Sequence, residues 1–115
     1  MHEYSIIQSL LERVEAEMRA RGAASVSRIE LDIGELAGVE VPLLETAFAT
    51  FRERTALAGA ELAVHQVPAE WRCGWCSRGI ERGERLRCPM CGVPARLAAG
   101  DEIVLRRIEM EVPDV

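Results

Sequence analysis

Four cysteines and an early histidine carry most of the chemistry that the residue types of this chain allow. Cys73-Gly74-Trp75-Cys76 is followed, after eleven residues, by Cys88-Pro89-Met90-Cys91-Gly92. Spacing of two residues lets both thiolates of a knuckle reach one ion while backbone amides bond their sulfurs. Two such knuckles make a zinc-ribbon pattern. With Cys73, Cys76, Cys88 and Cys91 as ligands every position of a tetrahedral Zn(II) site is filled by protein, so the expected role is structural. Disulfide pairing and thiol redox chemistry at Cys73 and Cys76 are the competing readings. The second C-x-x-C pair speaks against both, since a redox motif does not require it.

The other candidate is the start of the chain, Met1-His2-Glu3. A free amino terminus, two backbone amide nitrogens and the His2 imidazole can wrap a small divalent ion in fused chelate rings. Four nitrogens in a plane suit Ni(II) or Cu(II). A charged, loose N-terminus is the plainer reading of the same residues. One site is therefore open and the other closed.

Composition narrows what these sites can serve. The chain has 115 residues, 49% of them hydrophobic and 29% charged, and a net charge of −5. That allows one domain with a core and room for a small subdomain. All 14 basic residues are arginine. Without lysine there is no Walker-type phosphate loop and no Schiff-base amine side chain, so nucleotide hydrolysis, where needed, must come from a partner. Residues 67 to 100 hold six arginines and three acids and are the one basic segment. Four thiolates on one Zn(II) would offset most of that excess, which argues against nucleic-acid binding. Trp71 and Trp75 are expected to shield the knuckle rather than stack on bases. No G-x-S-x-G run or other catalytic constellation is present, and an enzyme is not expected. The absence of a long apolar run or signal peptide points away from the membrane and to a cytoplasmic protein.

The elements that must position these groups follow from periodicity. Tyr4, Ile7, Leu11, Val14 and Met18, with Ile6 and Leu10, form a helical stripe, with Ser5 and Gln8 resembling a capping box at its start. Ile29, Leu31 and Ile33 alternate with Arg28, Glu30 and Asp32 in a strand over residues 26 to 34. Pro42 opens a second helix with Leu43, Leu44, Ala47, Phe48 and Phe51 facing inward. Strands follow over residues 60 to 67, with His65 on the exposed face, and over residues 102 to 111. In the last strand the inward phase shifts from Ile103 and Leu105 to Ile108 and Met110, as a bulge or bend would produce. The predicted fold is α+β: two helices packed on a three-stranded sheet, with an inserted zinc-ribbon subdomain. Its expected division is residues 1–67 plus 100–115 against residues 68–99, the latter held together mainly by its metal.

Several of these residues together resemble the HypA family, nickel metallochaperones of [NiFe]-hydrogenase maturation. They are Met1-His2-Glu3-Tyr4-Ser5, Ile33-Gly34-Glu35, Ala47-Phe48, both C-x-x-C pairs, Gly100-Asp101-Glu102 and Ile108-Glu109-Met110-Glu111. The resemblance implies that Met1, His2 and Glu3 bind Ni(II) as cargo, with Glu40 as a further candidate where relatives carry Asp. It implies a HypB-type GTPase and the hydrogenase large-subunit precursor as partners, and leaves homodimerisation open. Relatives with His beside the zinc cysteines are not matched here. The alternative is a zinc-ribbon scaffold that binds protein or RNA and has no nickel role.

Overall fold

A computed structural model of the chain describes residues 2–113, and for His2 the backbone only. Helix α1 (His2–Arg21) leads to strand β1 (Ser25–Gly34), helix α2 (Val41–Phe51) and strand β2 (Glu61–Val67). Three short strands, β3 (Glu70–Cys73), β4 (Gly79–Ile80) and β5 (Ala95–Ala99), precede β6 (Ile103–Glu111). The main sheet has the order β2-β1-β6, so the last strand of the chain returns to pair with the first. The second sheet is antiparallel, with the order β4-β3-β5.

The chain divides into two compact units. One comprises Met1–Asp32, Val39–His65 and Val104–Val115, and the other Ile33–Gly38 and Gln66–Ile103. The core of the first is built from the predicted periodicities. Ile7, Leu10, Leu11, Val14 and Met18 of α1 are buried, as are Leu44, Ala47 and Phe48 of α2 and Val26, Ile29 and Leu31 of β1. Three residues of the expected stripes face outward instead: Tyr4, Leu43 and Phe51. Tyr4 and Phe51 meet edge to face with their centroids 5.4 Å apart, so the pair covers itself rather than entering the core. On the outer face of β1, Arg28 lies near Glu30, Glu61 and Glu109, and Asp32 near Arg106. Arg106 and Glu109 thus turn to the same face from positions three apart, as the phase change read from the sequence of β6 requires, but Ile103, expected to face inward, is 40% exposed at the start of the strand.

In the second unit the predicted cysteine segment contains strands that the sequence did not reveal. Trp71 lies opposite both Ile80 and Leu97, a short apolar row across β4, β3 and β5. Two- to five-residue strands are too brief for a visible alternation. The turn after β1 belongs to this unit because of two close backbone approaches. A Cβ at Gly34 would lie 2.2 Å from the Gly100 carbonyl group, and one at Gly100 2.5 Å from the Ala69 Cα. Only glycine admits that packing. It is closed by hydrogen bonds from the Glu35 amide to the Val67 carbonyl and from the Leu36 amide to the Gly100 carbonyl, at 2.8 and 2.7 Å.

Candidate metal centres

The two cysteine knuckles have the same local build. The Ser77 amide donates to the Cys73 carbonyl and the Gly92 amide to the Cys88 carbonyl, each closing a tight turn behind its C-x-x-C pair. Both closing residues have positive φ, 63° at Ser77 and 68° at Gly92. Amides of Trp75 and Cys76 point at the Cys73 sulfur, each at 3.3 Å, and the Cys91 amide points at the Cys88 sulfur at 3.4 Å. Cys73 and Cys88 are buried, while Cys76 and Cys91 are exposed. A loop of eleven residues between the knuckles brings the four sulfurs within 4.8 Å of one another.

That spacing fits a tetrahedral ion. Metal–sulfur bonds of about 2.3 Å place sulfurs roughly 3.8 Å apart along each tetrahedron edge. The Cys76 and Cys88 sulfurs stand 3.8 Å apart. Electrostatics in the cluster are uneven. Hydrogen bonds from the Cys76 and Trp75 amides pull the Cys73 thiol down to about 6, while hydrogen bonding with Cys76 and burial push Cys91 up to about 12. Only a few amides are available to stabilise four negative sulfurs, so Cys73 is favoured as thiolate at the expense of Cys91. A dication removes that conflict by holding all four as thiolates. Cys73, Cys76, Cys88 and Cys91 thus form a four-cysteine metal-binding cluster.

Trp75 does not shield it. That ring is 82% exposed, and Met90, at the matching place in the second knuckle, is 78% exposed. The third position of each knuckle points away from the sulfurs, so the apolar residue there faces solvent. Trp71, two positions before Cys73 in β3, is the half-buried tryptophan.

At the other candidate site, Met1 and the His2 side chain lie outside the described residues. The backbone of His2 and Glu3 already belongs to α1, so Ser5 stands in the first turn and is not the cap expected from the sequence. Amides in a helix's first turn have no carbonyl partner within the helix. Glu3 is 6% exposed, and its carboxylate accepts the Glu40 amide at 3.2 Å. Glu40 is the N-cap residue of α2, has extended backbone and makes no side-chain cap bond of its own. Glu3 therefore supplies, from another helix, the carboxylate-to-cap-amide half of a capping box. Hydrogen bonds from the Glu3 and Glu40 amides hold the Glu3 carboxyl below its ordinary value. The structure brings Glu3 and Glu40 together, 37 positions apart in the chain. His65 is exposed on β2 and takes no part in the cysteine cluster.

One residue without an assigned role in the sequence has a structural one. The Glu35 carboxylate accepts the Ala69 amide at 2.8 Å and is gripped by both terminal nitrogens of Arg82, at 2.5 and 3.1 Å. The Arg82 guanidinium first, and then the Ala69 amide, lower its pKa from 4.5 to about 2. The carboxylate in turn raises Arg82 above its usual value. The adjoining Gly34, where no side chain fits, was the available sequence signal for this junction.

Comparison with known proteins agrees with these features along the whole chain. Residues 1–110 match the family model described as hydrogenase/urease nickel incorporation, metallochaperone, hypA. The hydrogenase maturation factor HypA of Aquifex aeolicus is 40% identical over 114 residues, covering 97% of this chain and 99% of the relative. That of Wolinella succinogenes is 37% identical over 120 residues, covering 99% and 98%. Among solved structures, the Ni metallochaperone HypA from Helicobacter pylori superposes with a TM-score of 0.72 at 27% identity, covering 96% of this chain and 98% of that one. A second HypA solution structure gives 0.80 at 28% identity, with 98% of each chain covered. With a four-cysteine cluster, two helices and a three-stranded main sheet, this chain belongs to the HypA family of nickel metallochaperones for hydrogenase and urease.

Proposed function

We propose that this chain carries Ni(II) at its amino terminus and hands it on during [NiFe]-hydrogenase maturation, while Cys73, Cys76, Cys88 and Cys91 hold a structural Zn(II). The observation that carries the nickel reading is the anchoring of Glu3. Its buried carboxylate ties the start of α1 to the cap of α2, which holds the backbone of one proposed ligand residue, Glu3, in place. The terminal amine of Met1, the His2 and Glu3 amides and the His2 imidazole supply the planar nitrogen set. Because those two amides lie in the first helical turn, their deprotonation breaks no amide-to-carbonyl hydrogen bond of the helix and gives up only the bond from the Glu3 amide to its own carboxylate. Returning protons to them releases the ion, which suits a carrier. Glu40 is the candidate for an added oxygen ligand, since its backbone is already joined to Glu3.

The zinc assignment rests on four sulfurs at tetrahedral spacing. The proposed working division is a nickel part, residues 1–67 plus 100–115, and a ribbon part, residues 68–99. No catalytic step is assigned to the chain. The absence of lysine supports an external source of nucleotide hydrolysis, and we assign it to a HypB-type GTPase, with the hydrogenase large-subunit precursor as recipient. Free thiols held for a metal suit the reducing cytoplasm.

The test is Ni(II) titration of the native chain, of His2→Ala and of a chain with a short N-terminal extension, with bound zinc measured in each. The native protein is expected to take up Ni(II) with the absorption of a planar nitrogen site. Both altered chains should lose that site and keep their zinc. Unchanged nickel affinity in the extended chain would refute the assignment. Exposure of Trp75 and Met90 is the observation favouring a partner-binding scaffold. That alternative predicts one bound zinc and no planar nickel site in the native protein.

A further inference from the structure

The last strand of the chain is also an edge. In the order β2-β1-β6, β6 pairs on one side with β1 and has no strand partner on the other among the described residues. An unpaired edge presents a row of backbone donors and acceptors. Between β6 and α1 runs an open groove of about 420 Å³. Half-buried Leu105, Ile108 and Met110 supply its apolar contacts, and Arg13, Arg21, Arg106 and Arg107 supply its charge. Glu17 is the single acid in the lining. A lining of four arginines to one acid stands out on a chain of net charge −5.

The existing ion pairs leave these arginines available. Arg21 with Glu17, Arg106 with Asp32 and Arg107 with Glu109 are separated by 3.3 to 3.5 Å, and each of these arginines is more than half exposed. Exposed pairs of this kind contribute little and exchange readily. Arg13 has no carboxylate partner among the described residues.

We propose that this groove docks an extended, acidic segment of a partner protein, which adds to β6 as a fourth strand. Main-chain hydrogen bonds along the edge give the affinity of such docking, and alternate side chains give its selectivity. Acidic residues of the segment meet the arginines, and the apolar residues between them meet Leu105, Ile108 and Met110. The stretch from Leu105 to Met110 accommodates roughly 20 Å of extended chain. A nucleic acid matches the charge, but it offers neither the edge hydrogen bonds nor a fit to the apolar positions. A second copy of this chain matches the edge and fails on charge. Full antiparallel self-pairing of Ile103–Glu111 sets Arg107 opposite its own copy, and like charges in that position repel.

The probe is a capped, fluorescent peptide of about eight residues alternating Glu and Val, followed by anisotropy against the intact, metal-loaded chain. Saturable binding that weakens with salt is expected, together with no binding of the Lys-for-Glu peptide. The Arg13→Glu, Arg107→Glu double variant should bind about tenfold more weakly or worse, with its circular dichroism unchanged. N-methylation of alternate amides along one edge of the peptide should abolish binding to the native chain, a readout that does not depend on any protein variant. Equal binding of the methylated peptide, or no saturable binding of the parent, would overturn the proposal. So would concentration-dependent dimers of the native chain that the peptide fails to dissolve. Each of these readouts is independent of whether Ni(II) binds at Met1.

Discussion

Stripping the metal from the four-cysteine cluster, with the thiols kept reduced, should unfold the ribbon and leave the helical unit intact. The ribbon's own resources are small. Between residues 68 and 99, Cys73, Ile80 and Cys88 are the buried apolar side chains among the described residues. Burial of the isoleucine contributes about 1.5–3 kcal/mol. Strands of four, two and five residues must be ordered against that gain. At about 1–2 kcal/mol per residue for the backbone, they cost on the order of 10–20 kcal/mol. A structural Zn(II) supplies about 10–16 kcal/mol at neutral pH, which is the size of the deficit. The first unit has instead a continuous core through Ile7, Val14, Ile29, Leu44 and Leu57. The two tryptophans make the assay direct, because Trp71 and Trp75 both lie in the ribbon. After chelation, emission from half-buried Trp71 should shift to the red and resemble that of Trp75, which is 82% exposed already. The far-UV signal of α1 and α2, of 20 and 11 residues, should persist. Complete metal loss, verified by metal analysis, with unchanged tryptophan emission would refute the reasoning. Helical signal falling in step with the emission would refute the independence of the two units.

Two further expectations concern the junction at Gly34 and Glu35. The Glu35 pKa is depressed, so its pairing with Arg82 and Ala69 stabilises the fold above pH 4.5 and is lost as pH falls towards about 2. Acid titrations followed by tryptophan emission should therefore differ between the native chain and Glu35→Gln in that window, the variant lacking the native protein's added dependence; coincident curves would show that the pair is idle. Gly34→Ala drives a methyl group into backbone that cannot rotate away, and a loss of about 3 kcal/mol is expected in chemical denaturation. Gly38→Ala, where nothing lies within 4 Å of the added Cβ but φ is 76°, should cost only about 1–2 kcal/mol.

The parts of this molecule governed by long periodic patterns were legible in its sequence. Ile7, Val14 and Met18 mark the buried face of α1, and Ile29, Leu31 and Ile33 the inward side of β1, because each repeats over several turns or pleats. The C-x-x-C pairs were legible for a different reason: metal ligation fixes residue type and spacing together. What escaped depends on contacts across the chain. Tyr4 and Phe51 fit the helical stripes by position, yet cover each other at the surface. Ser5 has the right spacing for a cap, but the helix begins before it. Trp75 is large and apolar and still faces solvent, because the knuckle turn sets its direction and not hydrophobicity. Glu35 and Arg82 are 47 positions apart, and no local rule joins them.

The hydrogen bond from the Glu40 amide to the Glu3 carboxylate gives the amino-terminal tip a built-in spectroscopic reporter. An amide proton held by an anionic oxygen is shifted by any change in that oxygen's charge, distance or direction. Its resonance is thus sensitive to events at the start of α1 while belonging to the N-cap residue of another helix. The Ni(II) binding proposed for the tip can therefore be tested at the Glu40 amide without placing anything ahead of Met1.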